Sequence, residues 1–197
     1  MSRSQPYQPS LLRLLHGLTA LVILLALLSA AWVYLTYDGR LIQLSIPRIP
    51  DIIGIHGTFG VGLLLLLPLF ALYSFHLGQN RLISSNTLRQ LPQLPRPAGR
   101  YALHRLINTV MLIAATFALI TGRMMKEEWL PEGRLTETWY TLHLWAWVVM
   151  AMAVVVHLTA ASWAGGVALL RSMLTAQTRE NDRPRQWWQQ IQSIWKP

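Results

Sequence analysis

The sequence predicts an all-α membrane protein, a four-helix transmembrane bundle with both termini in the cytoplasm. Three observations carry that expectation. Apolar side chains make up 53% of the 197 residues and charged ones only 13%, against about a quarter charged in an ordinary soluble domain. Four long runs, 14–37, 52–80, 106–122 and 138–170, carry no formal charge. Crossing the hydrocarbon core takes roughly 20 apolar residues, and hydrocarbon leaves backbone groups no water to bond, so runs of this length fold as helices. Lastly, the 17 Lys and Arg, which outnumber the 8 Asp and Glu, lie between the apolar runs. That distribution reads as a topology signal, and no nucleic-acid partner is expected.

The helices are expected near 11–36, 52–77, 101–124 and 138–163, with continuation to about 174 as the alternative for the last. The first apolar stretch is about twice as long as a signal-peptide h-region, so it reads as a span that is kept. In the second, Leu63–Leu67 is an unbroken leucine run and Pro68 is expected to kink the helix behind it. The connection Gly78–Gly99, with prolines at 92, 95 and 97, is expected to be irregular. The third charge-free run is short, but Tyr101–Leu103 extend it while Arg105 snorkels to the headgroups. The segments before the first helix, between the second and third, and after the fourth hold twelve Lys and Arg; the other two connections hold five. Six of the eight acids share that second side. The positive-inside rule therefore places both termini in the cytoplasm, as an even number of spans requires.

Residues 1–174 thus form one transmembrane domain and 175–197 a cytoplasmic tail. Trp187, Trp188, Ile191, Ile194 and Trp195 share one helical stripe in that tail. The stripe is expected to lie in the headgroup layer, a partner-binding tail being the alternative. Cysteine is absent, which excludes disulfides, thiolate zinc sites, iron–sulfur clusters and covalently attached haem.

Six histidines stand out from this apolar background, where ionisable groups mark function. His143 and His157 lie 14 residues apart in the fourth span; at 100° per residue their rings point within about 40° of one another, roughly 21 Å apart along the axis. His16 opens the first span at the depth of His157, and His56 opens the second at the depth of His143. A neutral imidazole is a haem axial ligand, and two across one iron fill both axial positions. Each first member is followed by glycine, Gly17 and Gly57, which lets a backbone approach a flat macrocycle. Two macrocycles are therefore expected, one on His16 and His157 and one on His56 and His143. His76 and His104, at cytoplasmic helix ends, read as interfacial groups, or as aids to haem propionates or a proton route. Arg13, Arg100, Arg105 and Arg171 are further propionate candidates on that side. Trp139, Trp145 and Trp147 around His143 belong either to an aromatic belt or to a haem wall. Thr121-Gly-Arg-Met-Met-Lys126, which ends the third span, reads as a basic helix C-terminus, with an anion- or quinone-facing surface as the alternative.

Arg13-Leu-Leu-His16-Gly, Ile55-His56-Gly-Thr-Phe-Gly60 and Trp139-Tyr-Thr-Leu-His143, followed after 14 residues by His157, together resemble the bacterial cytochrome b561 family. They are also similar to the b-type cytochrome subunits of nickel–iron hydrogenases and formate dehydrogenases. The resemblance covers residues 11–174. It implies two haems b, one held by histidines of helices one and four and the other by those of helices two and four: His16 with His157, and His56 with His143. Where the family often has His-Lys-Ser at the start of helix two, this chain has His56-Gly-Thr. The resemblance implies an electron carrier across or within the membrane, exchanging with quinone or a redox partner protein, and in that sense a quinone-linked oxidoreductase. A haem-bearing anchor subunit of a larger membrane complex is the alternative. A pigment-binding accessory subunit is a third, which paired histidines at one depth argue against. The expected location is the bacterial inner membrane or an internal photosynthetic one.

Overall fold

A computed structural model describes residues 8–78, 82–178 and 182–194; the side chains at 75–78, 85, 190, 193 and 194 are outside that description. The expectations for His76, Ile194 and Trp195 fall there. The long helices are α1 (Ser10–Tyr37), α2 (Ile52–Gly78), α4 (Pro97–Arg123) and α5 (Thr138–Leu174), with short helices α3 (Ser85–Gln90) and α6 (Trp187–Ile194). No strand occurs among the described residues. All four long helices are long and apolar enough to cross a membrane, and only 17–28% of each span is buried inside the protein. Leu28, Leu65 and Leu72 are each at least 66% exposed. So much bare apolar surface is at rest only against lipid, and the bilayer is a partner of this chain.

Local chemistry sets the helix ends. Gly39 adopts φ +64° and donates its N–H to the Tyr34 carbonyl at 3.0 Å, a left-handed residue that closes α1. The Asp51 carboxylate accepts the Gly54 N–H at 3.3 Å at the start of α2. Pro68 lies inside α2, which runs on to Gly78. From residue 82 onward, the connection into α4 is more ordered than its prolines suggest. Ser84 Oγ accepts the Thr87 N–H at 3.4 Å while Thr87 Oγ1 accepts the Ser84 N–H at 3.1 Å, and this reciprocal cap starts α3. Pro97 opens α4 earlier than the expected residue 101, because proline suits the first helical position, where no N–H is needed. Late in α5, Gly166 takes φ 64°, ψ −171°, a conformation essentially confined to glycine. The 37-residue helix is therefore two helical stretches joined at one residue.

The chain divides into two compact units. The first holds the described residues of Met1–Leu18, Pro68–Thr109 and Val156–Pro197; the second holds Thr19–Leu67 and Val110–Val155. In the first, Leu11, Leu12 and Tyr73 form a buried core against which Leu15, Phe70, Trp187 and Ile191 pack. The tail is stitched to α1. The Ser10 N–H donates to Asp182 Oδ2 at 2.5 Å, Ser10 Oγ donates to the Asp182 carbonyl at 2.6 Å, and Trp187 Nε1 donates to Ser10 Oγ at 2.8 Å. The expected headgroup stripe is thus divided: Trp187 and Ile191 face the protein, while Trp188 is 67% exposed. In the second unit the buried core is Val33, Ile52, Trp129, Leu130 and Tyr140.

Candidate functional site

In the second unit the fifth residue of α2, His56, and the sixth of α5, His143, stand with ring centres 6.0 Å apart. A hydroxyl lies beside the Nδ1 atom of each ring. Ser29 Oγ lies 3.0 Å from His56 Nδ1 and donates its one hydrogen to the Ala26 carbonyl at 3.1 Å. Thr121 Oγ1, fully buried, lies 3.0 Å from His143 Nδ1 and donates to the Phe117 carbonyl at 2.9 Å. A hydroxyl that donates to its own helix carbonyl accepts from an imidazole Nδ1–H. In that arrangement each ring would present Nε2 as a bare lone pair, the form that ligates a metal while a second group holds the ring.

The pair borders a cavity of about 600 Å³ whose lining includes Gly57, Gly60, Tyr140 and Trp147. That volume suits a single organic ligand. A Cβ added at Gly57 or Gly60 would meet nothing within 4 Å, so these glycines leave open space beside the histidines. Gly122 is the opposite case: a Cβ there would stand 2.9 Å from His143 Cε1, and the ring sits where it does because no side chain is present. Trp147 stacks on Tyr34 with centroids 5.9 Å apart and donates to the Leu27 carbonyl at 3.2 Å, which makes it wall; Trp145, 59% exposed, belongs to the lipid-facing surface.

Three histidines gather in the first unit. The His157 ring centre lies 6.2 Å from that of His16 and 5.5 Å from that of His104, the latter pair stacked at 26°. His157 Nδ1 and His104 Nε2 are buried with no hydrogen-bond partner among the described residues. His16 also meets the Phe70 ring edge-on at 5.9 Å, and the space beside Gly17 is open.

A metal–imidazole bond of about 2.0 Å puts two ring centres about 6.3 Å apart across one ion. The separations of 6.0 and 6.2 Å meet that requirement. Among the described residues no three His, Cys, Asp or Glu side chains converge as a shell for a bare ion. An iron porphyrin brings four equatorial nitrogens of its own and asks the protein for only two. Paired imidazoles at that separation beside open glycine faces fit that group.

The sequence profile of prokaryotic cytochrome b561 matches residues 7–176. The chain belongs to that family. Searches of curated proteins and of solved structures each returned no match. This cytochrome b561 is accordingly a bacterial multi-pass membrane protein that binds haem b and takes part in electron transfer.

The remaining candidates in this cytochrome are placed as follows. Arg13 donates through both terminal nitrogens to the carbonyls of Thr175 and Gln177, just beyond α5. Arg100 lies over the Trp163 ring at 5.3 Å. Arg105 is half-buried and Arg171 exposed. The sequence leaves out Ser29 and the contacts that Thr121 and Gly122 make with His143, and also a contact at the end of α1. There the Asp38 carboxylate accepts from Arg40 Nε at 2.6 Å and Nη2 at 2.9 Å, and from the hydroxyl of Tyr140, three residues before His143. Burial acts to raise the Asp38 carboxyl, but the hydrogen bonds from Arg40 and Tyr140 outweigh it and hold it below its ordinary value. A depressed carboxyl stabilises the fold above its unfolded pKa of about 3.9 and loses that contribution as pH falls through the lower folded value. The thermal stability gap between wild type and Asp38→Asn is therefore expected to stay level from pH 8 to about 5 and to close toward pH 3. A gap that already closes near neutrality would remove the ion pair from the explanation.

Proposed function

We propose that this cytochrome holds two haems b, one between His56 and His143 and one between His16 and His157, and carries electrons across or within the membrane. Exchange is with quinone or a redox partner protein. The observation that supports this best is the His56–His143 pair, two imidazoles with ring centres 6.0 Å apart beside a cavity of about 600 Å³. When bound, each haem supplies an iron that cycles between ferric and ferrous states. The chain's part is to hold and insulate it. His56 with His143, and His16 with His157, would hold each group with two imidazoles, which would suit outer-sphere transfer and exclude oxygen. Ser29 and Thr121 fix tautomer and ring direction. Gly57 and Gly60 leave room for the macrocycle, and Trp147 walls it. By the distribution of Lys and Arg, the His16–His157 pair lies toward the cytoplasmic side and the His56–His143 pair toward the other.

A reduced-minus-oxidised spectrum with a sharp α-band, and a pyridine haemochrome count of two haems per chain, are the expected results. Anaerobic addition of a short-chain quinone to the reduced protein in proteoliposomes should reoxidise it. A colourless preparation from haem-replete cells would overturn the proposal, and a count of one would reduce it to a single centre.

A further inference from the structure

The cavity of the second unit has a charged rim to which the electron-transfer reading gives no role. Arg123, the last residue of α4, and Lys126 both line it alongside His56 and His143, and Glu127 is the one acid among the lining residues. Arg40 and Arg134 in the same unit are committed to Asp38, Glu132 and Glu137. Among the described residues neither Arg123 nor Lys126 forms an ion pair. The turn that ends α4 keeps both at the rim: the Met124 N–H bonds the Ile120 and Thr121 carbonyls at 3.2 Å and the Met125 N–H bonds the Gly122 carbonyl at 3.2 Å. The chain thereby coils back on itself as it leaves the helix. The buried part of the lining is apolar, among it Leu63, Ala115 and Met150.

A b-type haem carries two ionised propionates on one edge, and a carboxylate cannot be left unpaired among such walls. It must emerge where cations wait. We propose that Arg123 and Lys126 bind the propionates of the haem held by His56 and His143, and so fix that haem's rotation about its axial ligands. Arginine offers a planar fork that matches a carboxylate and lysine a compact point charge. The same turn of α4 would then set both features of the centre, since Thr121 bonds the His143 ring and Gly122 abuts it. This inference rests on the axial pairing proposed above. The bland rival is that both cations merely answer the dipole at a helix C-terminus, a role indifferent to the haem's carboxylates.

The test uses the full-length protein in detergent, loaded either with haem b or with its dimethyl ester, which has the same ring but no carboxylate charge. With haem b, Arg123→Gln/Lys126→Gln is expected to release one of its two haems to apomyoglobin about tenfold faster than wild type, the scale of a lost charge-assisted hydrogen bond. The other haem should be released at the wild-type rate. The midpoint potential of the affected haem should fall, because nearby cations favour the reduced, less positive centre. Arg123→Lys/Lys126→Arg should restore both readouts, which a misfolded variant would not allow. With the dimethyl ester, wild type and the double Gln variant should release at equal rates. Unchanged release of haem b by the double Gln variant, or an ester that preserves the tenfold gap, would overturn the proposal. The axial pairing fails separately, if His56→Ala still binds two haems.

Discussion

His56→Ala and His143→Ala are each expected to lower the haem content from two per chain to one, and the haem they remove is the same. The rings stand 6.0 Å apart, the span of one ion with an imidazole on either side. Removing either ring leaves one imidazole, in a cavity whose lining includes no other histidine. The two hydroxyls grade the effect. Ser29→Ala and Thr121→Val keep both imidazoles but free their Nδ1 atoms, so haem binding should weaken by about 10–100-fold, the usual scale for groups that orient metal ligands. Pyridine haemochrome counts give the stoichiometry, and low-temperature spectra of the residual haem show which centre survived. Loss of different haems from the two alanine variants, or two haems in either, would refute the pairing.

The second expected result concerns the three-histidine cluster. His16→Ala and His157→Ala should each abolish the other haem, while His104→Phe should keep two. The distances separate these roles. His16 stands 6.2 Å from His157, close to what a shared iron needs, whereas His104 stacks on His157 at 5.5 Å and 26°. Phenylalanine preserves such a stack and cannot ligate. The double variant His143→Ala/His157→Ala should be colourless, because α5 supplies one imidazole to each centre. One haem in His104→Phe together with two in His16→Ala would transfer the axial role from residue 16 to residue 104.

The spans were legible because membrane helices are written as long uncharged runs, and the observed helices start and stop within a few residues of those expected. The four histidines were legible for a related reason, since a costly side chain in an apolar segment stands out. What escaped the sequence depends on which way a small group faces. Serine and threonine in apolar helices commonly bond their own helix backbone, as Ser29 and Thr121 do. Nothing along the chain says that their remaining lone pair meets an imidazole from another helix. Gly122 was silent because its role is the absence of a side chain beneath His143. The Gly165–Gly166 pair gave no sign of a break, since glycine is common in spans that stay regular. Helix α3 was hidden behind three prolines, and its cap depends on two hydroxyls, Ser84 and Thr87, that any polar loop might contain.

Because Ser10 is hydrogen-bonded both to Asp182 and to the indole of Trp187, the start of α1 and the start of α6 adjoin. A short linker from the end of α6 back to α1 would close the chain into a ring, and fresh ends could be cut in the 39–51 connection without severing a helix. Such a circular permutant would present α2 to the insertion machinery first and α1 last. A permutant that still binds haem would show that the order of synthesis and the finished fold are separable.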